Sequence, residues 1–480
     1  MNPATESVSA PGTHAAVAPA SAGFADLRDE VQIASLPVSG RLPDWLSGSL
    51  VRVAPAQWDV GERTLNHWFD GFAMLHRFQI TDGRVSYANR FLQTDSYRAA
   101  RDSGRIAFSE FATDPCRSMF KRVQSMFSPQ LSDNTNVNLT RLGERYIAMT
   151  ETPIAVQFDE RTLETAGVAY EAPGQLSTAH PHGRRGDGAM LNYAARLGPR
   201  NHYRFFVLAP GARKPQVVAS LPVSEPAYMH SFGLTERFFV LAEFPFTVNP
   251  FKLATSGRPY IENYSWHADR PTRFQLVDRQ SGELVRVFET DACFAFHHVN
   301  AYESAGKVIV DLCVFEDASI VAELYLGRLR DGAEVGALPH LERFELDIAG
   351  GAVARERISE ASIDLPRINY AANNERPYRY AWGTGLDGGS GWFDEIVMID
   401  VEERTAARWS EPGCYPGEPV FVSAPDARGE NEGVLLSVVF DARRGTSFML
   451  ALDAGTLGEL ARAEVPHHIP FGFHGQFARA

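Results

Sequence analysis

Four segments of this chain carry histidine among apolar and aromatic neighbours. They are Thr178-Ala179-His180-Pro181-His182, Ala227-Tyr228-Met229-His230-Ser231-Phe232, Phe294-Ala295-Phe296-His297-His298-Val299 and Ile469-Pro470-Phe471-Gly472-Phe473-His474. A buried imidazole without a partner is costly, so such a ring takes either a hydrogen bond or a metal. For the pair His297-His298 alone, the hydrogen bond is the commoner solution. Three further segments of the same kind shift the balance towards a shared metal. His180, His230, His297 and His474 lie 50, 67 and 177 residues apart. No single helix or hairpin spans such gaps, which suit ligands delivered by separate strands to a common axis. Four neutral imidazoles fit Zn, Cu, Fe or Ni, and the sequence does not choose among them. Metal-bound histidines donate their other N–H to a carboxylate, a carbonyl or a water. Glu151, Asp364 and Glu418 sit in apolar surroundings and are candidates, each with a salt-bridged or loop acid as the alternative reading.

The elements that would position these residues read as short strands. Examples are Ser49–Val53, Tyr146–Met149, Tyr203–Leu208, Arg237–Leu241, Lys307–Phe315, Glu395–Ile399, Val434–Phe440 and Ser447–Leu452. Many short strands punctuated by Gly, Pro and Asp imply an all-β, closed or radial architecture. No strict repeat is visible, so a propeller here is a degenerate one. The composition shows no boundary after residue 24, which predicts one domain over 23–480. Residues 1–22, rich in Ala, Ser, Pro and Thr, lack the basic and apolar regions of a signal peptide and read as a disordered tail.

One helix stands out. Asp114 is a fitting N-cap and Pro115 a first helical residue, and Met119, Phe120, Val123, Met126 and Phe127 then share a face. Arg117, Lys121 and Arg122 lie off that face, the make-up of a helix resting on a membrane surface or, alternatively, packed on the domain. Gly383-Thr384-Gly385-Leu386-Asp387-Gly388 matches a dinucleotide fingerprint but precedes more glycine and a strand-like run, so it reads as a hairpin loop. A net charge of −13 argues against a nucleic-acid partner. Cysteines 116, 293, 313 and 414 show no metal spacing and read as reduced cytosolic thiols. No apolar run reaches transmembrane length. The expected place is the cytoplasm, with peripheral membrane contact through the 119–127 face.

The four histidine segments, taken in order with His67-Trp68-Phe69-Asp70-Gly71-Phe72-Ala73-Met74-Leu75-His76 and Asp133-Asn134-Thr135-Asn136-Val137-Asn138, resemble the carotenoid cleavage oxygenase family of non-haem iron enzymes. The resemblance runs from about Leu42 to Phe477. Within the family, His67 to Gly71 and Asp114-Pro115-Cys116 look most like the animal-type branch of β-carotene oxygenases and the retinal pigment epithelium isomerase. It implies a seven-bladed β-propeller with one Fe(II) per chain on the axis, held by His180, His230, His297 and His474. Short helices and loops would cap a substrate tunnel. His182 and His298 fall to packing or hydrogen bonding, and His67 to a structural hydrogen bond. Glu151, Asp364 and Glu418 would stand behind the ligands, with Asp at 364 where the family usually has Glu. One methylene less shortens the reach by about 1.5 Å, so either the backbone comes closer there or a water bridges. Thr135 would sit beside the iron and limit access to one vacant coordination position.

The implied activity is cleavage of a conjugated C=C bond in a carotenoid or apocarotenoid by O2, giving two aldehyde or ketone products without NAD or flavin. Phe294, Phe296 and Phe471 are candidates for the tunnel wall, with core packing as the alternative. Two other readings stay open. A stilbenoid or phenylpropene oxygenase needs a Lys–Tyr pair to activate a phenol, and none can be placed. A retinoid isomerase or a non-catalytic retinoid-binding propeller would consume no O2. Which polyene is taken and which bond is cut, symmetrically or not, depend on tunnel depth, which no motif encodes. Oligomeric state is likewise not legible.

Overall fold

The apolar runs form antiparallel hairpins, and these build seven sheets of four to six strands, the blades of a seven-bladed β-propeller. The structure is a computed structural model that describes residues 19–115, 131–386 and 391–480. The 119–127 helix face and Cys116 lie outside the described residues. Among the described residues no helix is long and apolar enough to cross a membrane.

The first blade takes Gly48–Gln57, Phe72–Thr81 and Arg84–Phe91 from the start of the chain and Gly475–Arg479 from its end. The second holds Asn138–Leu142 to Thr165–Glu171, the third Leu176–Ser177 to Gln216–Val223, and the fourth Gly233–Leu234 to Leu284–Thr290. The fifth runs from His298–Ser304 to Val353–Ser362 and the sixth from Asp364–Arg367 to Thr405–Ser410. The seventh holds Cys414–Pro416 to Glu459–Val465 and borrows Val38–Gly40 from the N-terminal side. The ring therefore closes twice. Gly475–Arg479 pairs with Gly48–Gln57, and Val38–Gly40 pairs with Glu459–Val465. Each closure removes a sheet edge that would otherwise expose unpaired backbone.

Blades stack face to face, so their middle strands are apolar on both faces rather than alternating. Every residue of Phe238–Glu243 is buried. Leu191, Tyr203 and Phe205 of the third blade pack on Phe232, Phe239 and Leu241 of the fourth, with Phe205 and Phe239 stacked at 4.3 Å.

Two expectations are corrected, and one helix is new. Residues 20–22, assigned to the tail, belong to a short 3-10 helix, Ala20–Phe24. Phe24 is buried there against Trp392 and Phe471, which anchors the segment. Asp95–Ser103 forms an unforeseen helix. Thr94 caps it by accepting from the Tyr97 amide and Gly104 ends it at φ 63°, but only Ser96, Tyr97 and Ala100 are buried, too thin a stripe to register as a period. Gly383 and Gly385 lie within a strand, Tyr380–Gly385, and not in a hairpin loop.

Two short helices, Ser319–Glu323 and Leu326–Arg330, form part of a cap over one end of the axis. Backbone hydrogen bonds from Trp68 to Leu324 (3.1 Å) and from Leu326 to Asn66 (2.8 Å) tie them to the first blade. His67 completes this tie. Its Nε2 lies 3.0 Å from the Val321 carbonyl, and its Nδ1 accepts from the Phe69 amide at 3.1 Å.

Candidate metal centre

Each of the four histidines sits where a blade begins at the axis. His180 precedes His182–Gly183, His230 lies shortly before Gly233–Leu234, His297 precedes His298–Ser304 and His474 precedes Gly475–Arg479. Blades one, three, four and five thus each send in one imidazole. The other three blades each send a carboxylate: Glu151 from the second, Asp364 from the sixth and Glu418 from the seventh. Imidazoles and carboxylates thus come from separate blades.

One ligand atom from each of the four rings lies within 4.8 Å of the other three. Nε2 of His180 and His230 are 2.9 Å apart, and those of His297 and His474 are 3.2 Å apart. His230, His297 and His474 are buried and His180 is partly so. On the far side of the rings, Nδ1 of His230 meets Glu151 Oε1, Nδ1 of His297 meets Asp364 Oδ1 and Nδ1 of His474 meets Glu418 Oε1, each at 2.6 Å. An Nδ1–H donated to a carboxylate fixes the tautomer with the lone pair on Nε2. Three such lone pairs then converge on the His180 ring, and a cation between them relieves their repulsion. Burial and the neighbouring imidazoles hold His180 well below the usual histidine value. Burial also lowers His230 and takes His474 down to about 4, in both cases against the pull of a carboxylate. Neutral rings are what a metal needs. The donor set therefore fits a transition metal held by nitrogen, with the carboxylates orienting three of the four rings.

The loops carrying these rings are stitched to one another. Thr178 Oγ1 donates to the His230 carbonyl and accepts from the His180 amide, and Asn138 and Asn192 donate to the carbonyls of Ala179 and Thr178. Ser231 Oγ donates to the Phe296 carbonyl at 2.7 Å and accepts from the His298 amide at 3.0 Å. The Ser231 proton is thus committed, so His298 Nδ1, 2.8 Å away, is the donor in that contact. His182 is likewise engaged, with Phe232 O and Tyr370 OH at 2.9 and 3.0 Å. Sequence reasoning missed Thr178 and Ser231; their position directly beside histidine in an apolar segment was the available signal.

At Asp364 the backbone comes closer, and no water is needed. Leu365 adopts a φ of 48°, and the pairing of Asp364–Arg367 with Tyr380–Gly385 shifts register there. Gly383 allows the approach, since a Cβ on it would meet the Asp364 carbonyl oxygen at 2.5 Å. The shorter side chain is thus matched to a local kink. Asp364→Glu, although it restores the family's usual residue, is expected to weaken metal binding roughly tenfold, and Asp364→Ala by roughly 10–100-fold. Metal titration of the two variants checks this; a glutamate variant binding as tightly as the parent would contradict the match.

The rings open on a cavity of about 190 Å3, whose wall includes His230, His297, His474, Trp68, Phe69, Phe111, Phe296, Trp392 and Phe473. Phe296 lines this cavity. Phe294 and Phe471 do not. Phe294 is buried behind Phe296 among Phe244, Phe246 and Phe315, and Phe471 packs on Phe24, Trp392 and Phe440. Thr135 is fully buried, and its hydroxyl has no partner among the described residues. Its neighbours Asn134 and Val137 line the cavity. Asn134 and Asn136 clamp the backbone of Phe69, Asp70 and Gly71, which sets Trp68 and Phe69 in the wall.

Residues 24–479 match the family described as retinal pigment epithelial membrane protein. The chain is 34% identical to the mitochondrial carotenoid-cleaving dioxygenase of Macaca fascicularis, over 92% of this chain and 91% of that protein. It is 32% identical to β,β-carotene 15,15′-dioxygenase of Homo sapiens, over 94% and 93%. Among solved structures, a variant of Synechocystis apocarotenoid oxygenase superposes with a TM-score of 0.85 at 25% identity, covering 96% of this chain and 98% of that one. The cobalt-substituted form of that oxygenase gives 0.83 at 26% identity with the same coverage.

Proposed function

Since the chain belongs to the retinal pigment epithelial membrane protein family of carotenoid oxygenases, we propose that it cleaves a conjugated C=C bond of a carotenoid or apocarotenoid with O2. The observation that carries this reading is the placement of His230, His297 and His474, backed by carboxylates, in the wall of a cavity that also holds many aromatic rings. Fe(II), held by His180, His230, His297 and His474, is the proposed metal, and it would supply the O2 activation that closed-shell alkenes lack. The chain's own residues do the rest. Glu151, Asp364 and Glu418 hold the Nδ1 protons and fix three rings in orientation. Tyr228 donates to Glu151 at 2.7 Å and steadies that carboxylate. The aromatic wall excludes water and holds a rigid polyene in one register, so that one double bond is presented. Thr135 is the residue we assign to restricting access beside the metal.

Cleavage adds both atoms of O2 across one alkene and yields two carbonyls, so the equation balances without an added reductant. Among the described residues no lysine lines the cavity, which disfavours a phenol-activating oxygenase. The test is O2 uptake by Fe(II)-loaded protein with β-carotene, an apocarotenal, a stilbene and a retinyl ester. One O2 consumed per bond, with two carbonyl products from a polyene, is the expected result. Cleavage of the stilbene alone would move the protein to the phenolic branch. Isomerisation of the ester without O2 uptake would overturn the reading.

A further inference from the structure

We propose that Glu110 is the specificity-determining residue of this cavity, the hydrogen-bonding anchor for an oxygen-bearing part of the polyene, a hydroxyl or a carbonyl. The inference rests on the cavity being the polyene site. Glu110 lines the same cavity as Phe69, Phe111 and Phe296. A carboxyl group among rings is costly unless something meets it.

Two other acids bear on Glu110, and both are already satisfied. Asp70 accepts from the amides of His67 and Ala112 and from Thr113 Oγ1, at 3.0, 2.9 and 2.6 Å. Asp133 accepts from the amides of Asp95 and Ser96 at 2.6 and 2.9 Å. Glu110 accepts from Ser132 Oγ at 2.8 Å, and among the described residues no lysine or arginine lines the cavity. Burial first, and then the charges of Asp70 and Asp133, push its carboxyl well above the usual range, against the opposing pull of hydrogen bonds from Ser132 and Asn134. A protonated carboxyl keeps a donor to offer after Ser132 has used one oxygen. A carbonyl can accept from it, and a hydroxyl can both accept and donate. A hydrocarbon terminus can do neither and leaves the acid unmet, which is how a polar site rejects an isostere lacking the partner. Oxygenated polyenes are therefore preferred to hydrocarbon ones.

The framework is shared with the metal site. The Ser132 carbonyl accepts from Thr152 Oγ1 at 2.7 Å, one residue from Glu151. Metal content must accordingly be followed in every variant.

Metal-loaded protein held under argon, so that nothing turns over, is titrated with retinol and with axerophthene, the hydrocarbon lacking retinol's hydroxyl. Quenching of the cavity tryptophans, Trp68 and Trp392, reports binding. The unmodified protein should bind retinol about tenfold more tightly. Glu110→Gln, whose amide still donates, should keep most of that preference. Glu110→Leu should bring the ratio to about one with metal content unchanged. A ratio of one in the unmodified protein, or an unaltered ratio in Glu110→Leu, overturns the proposal, and the first of these does not depend on any variant folding. A Glu110-dependent preference without cleavage in air would keep this inference and remove the proposed reaction. Cleavage without the preference would do the reverse.

Discussion

His297→Ala is expected to strip most of the metal and abolish activity, whereas His298→Ala keeps the metal. The two rings are neighbours in sequence but face different partners. His297 Nε2 lies 3.2 Å from His474 Nε2, and its Nδ1 is held by Asp364 at 2.6 Å. Alanine there deletes a ligand and leaves Asp364, itself buried, without its donor. His298 opens the strand His298–Ser304 and is bound to Ser231 Oγ through both its amide and its Nδ1. Burial and the nearby His182 lower its pKa to about 3, so it is a neutral packing group, and losing it costs stability rather than metal. Metal analysis of the two purified variants decides the matter. Equal metal in both would mean that the ligand is misassigned.

Glu418→Ala should be the most damaging change among the supporting carboxylates, in stability as well as in metal affinity. Glu418 is completely buried. It takes Arg367 Nε and Nη2 at 2.8 and 3.0 Å, His474 Nδ1 at 2.6 Å and the Gly475 amide at 2.9 Å. Burial opposes its charge, yet Arg367 and His474 outweigh that and hold its carboxyl well below the usual range. Removing one partner of a buried pair costs about 3–5 kcal/mol, and the lower end applies here, because Arg367 is partly exposed and also donates to the Gly475 carbonyl. Gly475 begins the strand that closes the ring on Gly48–Gln57, so the damage reaches the closure itself. Glu418→Gln keeps the shape and an acceptor for His474 and should fold, with metal affinity reduced roughly 10–100-fold. Thermal denaturation and metal titration of both variants check the pair. An alanine variant as stable as the parent would show that the Glu418 contacts add no net stability.

Much of this arrangement was legible in the residues. Strand runs such as Val434–Phe440 and Ser447–Leu452 declare themselves because blades stacked on both faces need nearly continuous apolar residues. They appear as Gly433–Asp441 and Thr446–Asp453. The four histidines and three carboxylates stood out because titratable groups in apolar surroundings must find partners, which is a local property of sequence. What the sequence did not determine is which way each group points. The resemblance singles out His297 over His298, but the physical reason is Ser231, a residue of another blade, which holds His298. The direct reach of Asp364 follows from a kink at Leu365 and the missing Cβ of Gly383, two blade-level features that no motif encodes. Phe294, Phe296 and Phe471 are alike in sequence, each preceded by a small or apolar residue. Only the packing of Phe24, Phe315 and Trp392 around them decides that one faces the cavity and two face the core. Residue type sets what a side chain can do from its own chemistry; long-range packing sets where it does it, because the partners come from chain tens to hundreds of residues away.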